Sequence, residues 1–449
     1  AAMEPLVEAL APPADVLDEA QRAPTPAAAL DLLGAAYRED TPQTAALEAA
    51  LRRQDTMAES LAAMERAARP AHFFARETRP LGALLGDRLT LSPTRVEQYY
   101  RCRFSYFLQY VLRIRPRRRA ELSPLESGSL VHYILEHVMR RADAEFPRLA
   151  PEELARLAGE VADQYVAENM PAAGRRFAYL VERLKRGVTR LLAYLQAEQA
   201  QSLFHPAAFE QEIGTGEGAV PPLTLRTPDG RTVQVQGKID RVDVMEREGR
   251  TYLRVVDYKT GNKAFNLDEV YCGLNTQMLL YLFTLRSNAA QVYKNPVAAG
   301  VLYLAGDPVL KTGSRAEAAA APVYKVDGLV LNDELVVRGM DRDATGMFVP
   351  FAFGKDGAPR ASAKLASLEK LGNIEKHLDA LVVEMARGLY AGEIDAVPLR
   401  TAAHCPCDVC DYRPVCLHED GRGETSVQAP KDVFETRADA CKAQGEGNI

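Results

Sequence analysis

The chain has 449 residues, 47% of them hydrophobic and 26% charged; these are ordinary values for a globular protein, and at about 150 residues per domain there is room for roughly three domains. That composition excludes a wholly disordered chain, and nowhere is there a run of about 18 apolar residues, the length a membrane-spanning helix needs. Fifty-five lysines and arginines against 61 aspartates and glutamates leave a net charge of −6, so there is no global bias toward nucleic acid and any basic surface must be local.

The opening AAMEPLVEALAPPADV lacks the basic start and apolar stretch of a secretory signal, so the expectation is a cytoplasmic protein. Residues 1–88 are rich in Ala, Leu and Pro, with a helical pattern from Gln43 to Arg69 carried by Leu47, Leu51, Met57, Leu61 and Met64. Such material, without Met at position 1, reads as the remnant of a longer chain. The character changes at Leu91-Ser92-Pro93, where Ser92 is placed to cap a helix and Pro93 suits its first turn. That helix carries Tyr99, Tyr100, Cys102, Phe104, Tyr106 and Phe107, and Arg113, Arg115, Arg117, Arg118 and Arg119 follow it. Further helices are predicted over Ser127–Ala142 and 174–200.

Strands take over near residue 208. Leu223–Arg226 and Thr232–Gln236 flank the turn Pro228-Asp229-Gly230, Val235–Val244 continues as a strand, and Tyr252–Asp257 is a strand buried at its centre. A helix over about 268–286, a strand at Ala299–Leu304 and helices near 362–391 complete the pattern, and the residues after about 420 read as a polar, unstructured tail. The order predicts a mixed α/β core with helical arms. No G-x-x-x-x-G-K-[ST] phosphate loop occurs: Gly237-Lys238 and Gly354-Lys355 are not followed by Ser or Thr, so no ATPase site is visible.

The densest chemistry lies in Gly237-Lys238-Ile239-Asp240-Arg241-Val242-Asp243 and Val255-Val256-Asp257-Tyr258-Lys259. Alternation along a strand puts Asp257 and Lys259 on one face. Two carboxylates there can hold a hard divalent cation, with an ammonium close enough to orient a water, the parts that phosphodiester hydrolysis requires. An Asp-x-Lys pair is often no more than a solvated ion pair; the apolar Val255-Val256 before it places this one at the end of a buried strand. Gln277 and Tyr281, four apart, share a helix face, and His132 stands on a helix in Gly128-Ser129-Leu130-Val131-His132. Asp243 is better read as a partner of Arg241, or as part of a loop, than as a ligand, and Glu212 as a supporting carboxylate.

Four of the seven cysteines lie between 405 and 416, and Cys407-x2-Cys410-x5-Cys416 is a spacing that suits zinc or an iron–sulfur cluster. No second C-x-x-C exists, so a fourth ligand must come from Cys405, His404, His418 or a distant residue such as Cys102. Cys272 reads as a core residue, and Cys441 as a tail thiol with no role.

Taken together, G-x-x-x-H, G-x-x-D-R, D-Y-K and Q-x-x-x-Y resemble the RecB-type nuclease domain of the PD-(D/E)xK superfamily. The resemblance implies a nuclease core with a mixed central sheet flanked by helices, over residues 89–420, followed by the tail 421–449. It implies His132, Asp240 and Asp257 as ligands of Mg²⁺ or Mn²⁺, Lys259 as the group that assists the water, and Gln277 and Tyr281 in the substrate cleft. One cysteine before the histidine motif and three after the core is the layout of AddB, Cas4 and Dna2-type domains. By that likeness Cys102, Cys407, Cys410 and Cys416 hold a [4Fe–4S] cluster that closes the helical arms. Leu91–Tyr99, Phe104–Tyr110 and Val270–Tyr281 are similar to AddB-type subunits of AddAB helicase–nucleases. This implies an AddA-type partner and, as substrate, single-stranded DNA from unwound duplex ends, cut on the 5′-terminated strand. The run Arg113, Arg115, Arg117, Arg118 and Arg119 reads equally as a grip on phosphates or as a solvated loop. A stand-alone Cas4- or Dna2-like nuclease and a catalytically silent DNA-binding scaffold stay open as alternatives.

Overall fold

In a computed structural model the described residues are 23–36, 41–68, 78–115, 124–169, 175–259, 264–308, 324–402, 405–416, 418, 424–430 and 433–435. They fall into two compact units, 1–72 with 417–419, and 73–416 with 420–449. In the first unit the helices Pro26–Ala36, Pro42–Arg52 and Ala58–Ala68 bury Leu33, Leu51 and Leu61 among themselves. The single helical pattern from Gln43 to Arg69 is thus two helices. Thr41 caps the first through a reciprocal bond with Thr44, and a 3₁₀ turn, Asp55–Met57, separates them.

The second unit is built on a six-stranded sheet in the order β2 (His205–Ile213), β5 (Gly237–Arg247), β6 (Arg250–Lys259), β7 (Pro296–Pro308), β8 (Tyr324–Leu331), β9 (Leu365–Ala366). β2, β5 and β6 are antiparallel neighbours, and β6 and β7 are parallel. A parallel pair needs a crossover, which here carries the helices Leu267–Tyr271 and Gln277–Asn288. The sequence pattern predicts one helix over about 268–286; the chain instead breaks at Gly273 (φ 85°) and Asn275 (φ 54°). A side chain at Gly273 would meet the Tyr100 ring 2.3 Å away, so the break lets the crossover pack against the aromatic helix. A smaller sheet joins β1 (Arg88–Leu91), β4 (Thr232–Val235) and β3 (Leu223–Arg226). Within 421–449, Thr425–Ser426 pairs with Leu399–Arg400, and Phe434 is buried against Tyr271 and His377.

The aromatic helix is also interrupted. Ser92 caps Pro93–Arg101, accepting from the Arg95 amide at 3.3 Å, and the chain then becomes extended at Cys102 before Arg103–Tyr106. Tyr99, Phe104 and Tyr106 are buried, with Tyr99 edge-on to Tyr100 and Tyr106, so they form core.

Opposed residues Arg241 and Val256, and Asp243 and Arg254, set the register of β5 on β6. By alternation Arg241, Asp243, Arg254 and Tyr258 face one side of the sheet, and Asp240, Asp257 and Lys259 the other. On the first side Arg241 donates to the Tyr258 hydroxyl at 2.7 Å and to Asp243 at 2.9 Å. Arg254 bonds Asp243 at 2.9 Å and Glu198, from the helix Arg175–Gln201, at 2.6 Å. All four ionised groups are buried, and two cations balance two anions. Asp243 is therefore Arg241's partner, as the sequence suggests. Burial pushes its carboxyl up, but the Arg241 and Arg254 guanidiniums outweigh that and hold it below the usual carboxylate range. Asp243→Asn, which strands two guanidiniums, is expected to lower stability by about 3–5 kcal/mol in urea unfolding at pH 7. Since the native carboxyl ionises below its unfolded value of about 4, that contribution is complete above that pH and is lost as the pH falls through the native value; the variant should lack this acid limb.

Candidate active site and cysteine cluster

On the other side of the sheet, His132 reaches β5 and β6 from the helix Pro124–Ala142, between two acceptors. Its Nδ1 lies 3.3 Å from Asp240 Oδ2, and its Nε2 lies 3.0 Å from the Tyr258 carbonyl oxygen. Only a doubly protonated ring donates to both. Burial opposes that charge, but the bond to Asp240, its charge and the Tyr258 carbonyl prevail and raise the imidazole above its ordinary pKa. Asp240 answers in kind: burial alone would raise it, while His132 and Lys259 bring it below the usual range. Asp240 also accepts from the Tyr258 amide at 3.3 Å, which ties β5 to β6 at the site. Asp257 is buried at the end of β6, and Lys259 Nζ lies 2.9 and 2.7 Å from its two carboxylate oxygens.

A residue that the motifs do not single out completes the set. Glu210 on β2 offers an oxygen that lies, with one donor atom each of His132 and Asp240, in a group within 4.8 Å of one another. The register Phe209 to Arg241 and Gln211 to Ile239 puts Glu210 directly across from Asp240. Its φ of 50° is left-handed, a conformation a non-glycine strand residue adopts only when its surroundings impose it. The sequence points instead to Glu212, two residues on; a lone glutamate in a strand carries no motif, and only the pairing of β2 with β5 singles out Glu210. Two carboxylates and an imidazole so placed are hard and borderline donors, a set that fits a divalent cation of the Mg²⁺ or Mn²⁺ kind. Such an ion would balance the carboxylates and take His132 as a neutral ligand.

Tyr281 and Gln277 also come to this place. A side chain at Gly237 would meet Tyr281 Oη at 2.3 Å, so the glycine of the Gly237-x-x-Asp240 motif is there to let the ring cross β5. Burial pushes the Tyr281 hydroxyl up to about 12, while it accepts from the Lys238 amide and bonds Gln277. The Gln277 helix is docked at its start by Glu97, a buried carboxylate that accepts from the Gln277 amide at 3.1 Å. Arg113 and Arg115 are exposed; Arg117, Arg118 and Arg119 lie outside the described residues.

The cysteines converge at a second place. Cys102, Phe104, Leu108 and Tyr412 form a small buried cluster against which Cys410 and Cys416 pack. Burial pushes the Cys102 thiol up to about 11, with Cys416 and Cys410 adding to the effect. Burial likewise raises Cys407 well above the usual thiol range, helped by Cys405, Cys102 and Cys410. Thiols that raise one another in an apolar pocket can ionise together only with a cation among them, so the donor set fits a soft metal or an iron–sulfur cluster. Cys405 lies beside Cys407, and its sulfur also faces Glu424 at 3.8 Å, which Arg400 holds at 2.7 Å. Cys272 is half-buried and donates to the Gln428 carbonyl at 3.6 Å, shallower than the core position its sequence neighbours suggest. His404 and Cys441 lie outside the described residues.

Residues 90–417 match the PD-(D/E)XK nuclease superfamily, and the chain belongs to it. Its curated relatives include the B subunit of the ATP-dependent helicase/deoxyribonuclease of Clostridium acetobutylicum, 31% identical over 368 residues (78% of this chain and 32% of the relative). The protein of the same name in Acetivibrio thermocellus is 30% identical over 382 residues, 82% of this chain and 33% of the relative. That of Desulforudis audaxviator is 33% identical over 352 residues, 75% of this chain and 30% of the relative. The chain thus spans about a third of the length of the curated relatives it matches. Among the described residues no helix is long and apolar enough to cross a membrane.

Proposed function

We propose that this chain is the nuclease part of an AddB-type subunit, a metal-dependent deoxyribonuclease working beside an AddA-type partner in a cytoplasmic helicase–nuclease complex. Its substrate is single-stranded DNA released from unwound duplex ends, on the 5′-terminated strand, in the processing of double-strand breaks for recombinational repair. The observation that carries this reading is the convergence of His132, Glu210 and Asp240, from one helix and two strands, beside the Asp257–Lys259 pair of a third.

A divalent cation, when bound, supplies Lewis-acid neutralisation of the charge that develops on the scissile phosphate. Glu210, Asp240 and His132 would hold it, with Asp257 as the further carboxylate. His132 is aimed by the Tyr258 carbonyl, and Asp240 by the Tyr258 amide, so one peptide unit on each side of Tyr258 orients both donors. Lys259, steadied by Asp257, orients the attacking water and offsets negative charge on the phosphate. Tyr281 and Gln277 wall the cleft over Gly237. Arg113, Arg115 and the arginines that follow guide the strand by its phosphates, in a salt-dependent manner.

Cys102, Cys407, Cys410 and Cys416 would hold a [4Fe–4S] cluster, whose part is structural: it joins positions about 300 residues apart and so limits the unfolded chain. Cys410→Ser should remove absorbance near 400 nm from anaerobically purified protein and lower its melting temperature. The test of the reaction is degradation of end-labelled single-stranded DNA with Mg²⁺. Lys259→Ala should abolish cutting, by at least about a hundredfold, while DNA affinity is retained. Glu210→Gln should weaken Mn²⁺ binding as well as cutting. Equal cutting by wild type and Lys259→Ala would overturn the assignment of the site, and a wild-type protein that does not cut even with an AddA-type partner would leave the scaffold reading in its place.

A further inference from the structure

We propose that Lys238 is a displaceable counter-ion of the metal site, one that turns from Glu210 to a phosphate of the DNA strand when a divalent cation is bound. The proposal rests on the nuclease reading and adds a substrate-binding residue to it. Lys238 follows Gly237 and stands two residues before Asp240 on β5. Its Nζ lies 2.6 Å from Glu210 Oε2. Glu210 is also one of the three groups whose donor atoms come within 4.8 Å of one another, so a cation held there competes with Lys238 for the same carboxylate.

The surrounding charge gives that competition a direction. Lys238 is directly across from Glu212, and Glu136, one helical turn beyond His132, is also within its field. With Glu210, Asp240 and Asp257 these make five carboxylates, set against Lys238, Lys259, His132 beside Asp240 and Arg140, which bonds Glu136 at 2.9 Å. In this state the site repels a polyanion, and the more exposed of its lysines is engaged by Glu210. A bound divalent ion takes over Glu210's charge. Lys238 then keeps only the weaker attraction of its more distant acidic neighbours.

The side chain is built to make the exchange. It is 54% exposed, on a flexible four-carbon stem, whereas its partner Glu210 is 24% exposed and held in a left-handed backbone. Its backbone is fixed independently, by the Tyr281 hydroxyl at 3.4 Å and by pairing with Glu212, so the ammonium can leave Glu210 without moving β5. Lys259 has no such freedom: it is 28% exposed and bonded to both oxygens of a buried aspartate. The two lysines therefore divide the work, Lys259 at the reacting water and Lys238 at the incoming strand.

The test uses the 449-residue chain with Lys259→Ala as the parent, so that the strand stays whole, and adds Lys238→Met to it. Calorimetric titration with Mn²⁺ should show the ion bound roughly threefold to tenfold more tightly without Lys238, because its competitor for Glu210 is gone. Fluorescence anisotropy with single-stranded DNA at several salt concentrations is read with Mg²⁺ and with chelator. Lys238→Met should flatten the salt dependence by about 0.7, one phosphate contact, in Mg²⁺ and leave it unchanged in chelator. Unaltered Mn²⁺ affinity, an unaltered slope in Mg²⁺, or an equal loss of slope in chelator each overturns the proposal alone. A parent that binds no Mn²⁺ overturns the nuclease reading with it.

Discussion

The antiparallel pairing of β5 with β6, locked by a neutral quartet of buried charges, is the constraint on which the rest of this structure rests. Arg241, Asp243, Arg254 and Glu198 satisfy one another on one side of the sheet. A shift of one residue of β5 on β6 would turn Asp243 and Arg254 to opposite faces, break the bonds between them and leave buried charges short of partners, a loss of several kcal/mol per ion. The register is therefore unique, and with it the opposite side: Asp240 beside the Tyr258 amide, Asp257 beside Lys259, and Glu210 across from Asp240. Arg241 bonds the Tyr258 hydroxyl while the Tyr258 backbone aims His132 and Asp240, so one residue couples the structural side to the chemical side.

A second constraint comes from the arms. The aromatic helix is held to the helix Leu368–Ala391 by the Tyr100 hydroxyl on the Leu381 carbonyl at 2.7 Å, and Arg103 pairs with Glu393 just beyond that helix at 2.7 Å. Glu97 from the same aromatic segment caps the Gln277 helix. Cys102 lies where that segment turns extended, close to Cys407, Cys410 and Cys416. The segment thus touches the Gln277 helix with Glu97 and the cysteine cluster with Cys102, five residues later. Order in the cluster and order in the cleft are linked through one turn of chain.

Much of the site is legible in the sequence because its parts lie in short contiguous motifs. Asp257 and Lys259 obey strand alternation, Gln277 and Tyr281 obey helical spacing, and the three late cysteines are close in sequence. Asp243 separates from the ligands on the same grounds, since a nearby arginine is a simpler partner than a metal. Glu210 and Glu97 are not legible. Each is a lone glutamate among 61 acidic residues, and its role arises from what a distant strand or helix brings beside it. The broken crossover helix escapes the pattern for a related reason. Its apolar spacing is continuous, but Gly273 and Asn275 take left-handed backbone so that the Tyr100 ring can pack there.

By itself, then, the sequence determined the mixed α/β class, the faces of individual strands and helices, and the carboxylate–lysine and cysteine motifs. Those follow from periodicity and from side-chain chemistry, which act over a few residues. Only the tertiary structure decided which carboxylate of β2 joins His132 and Asp240, which residue seats the cleft helix, and what Lys238 balances. Those depend on strand register and on helix breaks, which are set by packing between segments dozens to hundreds of residues apart.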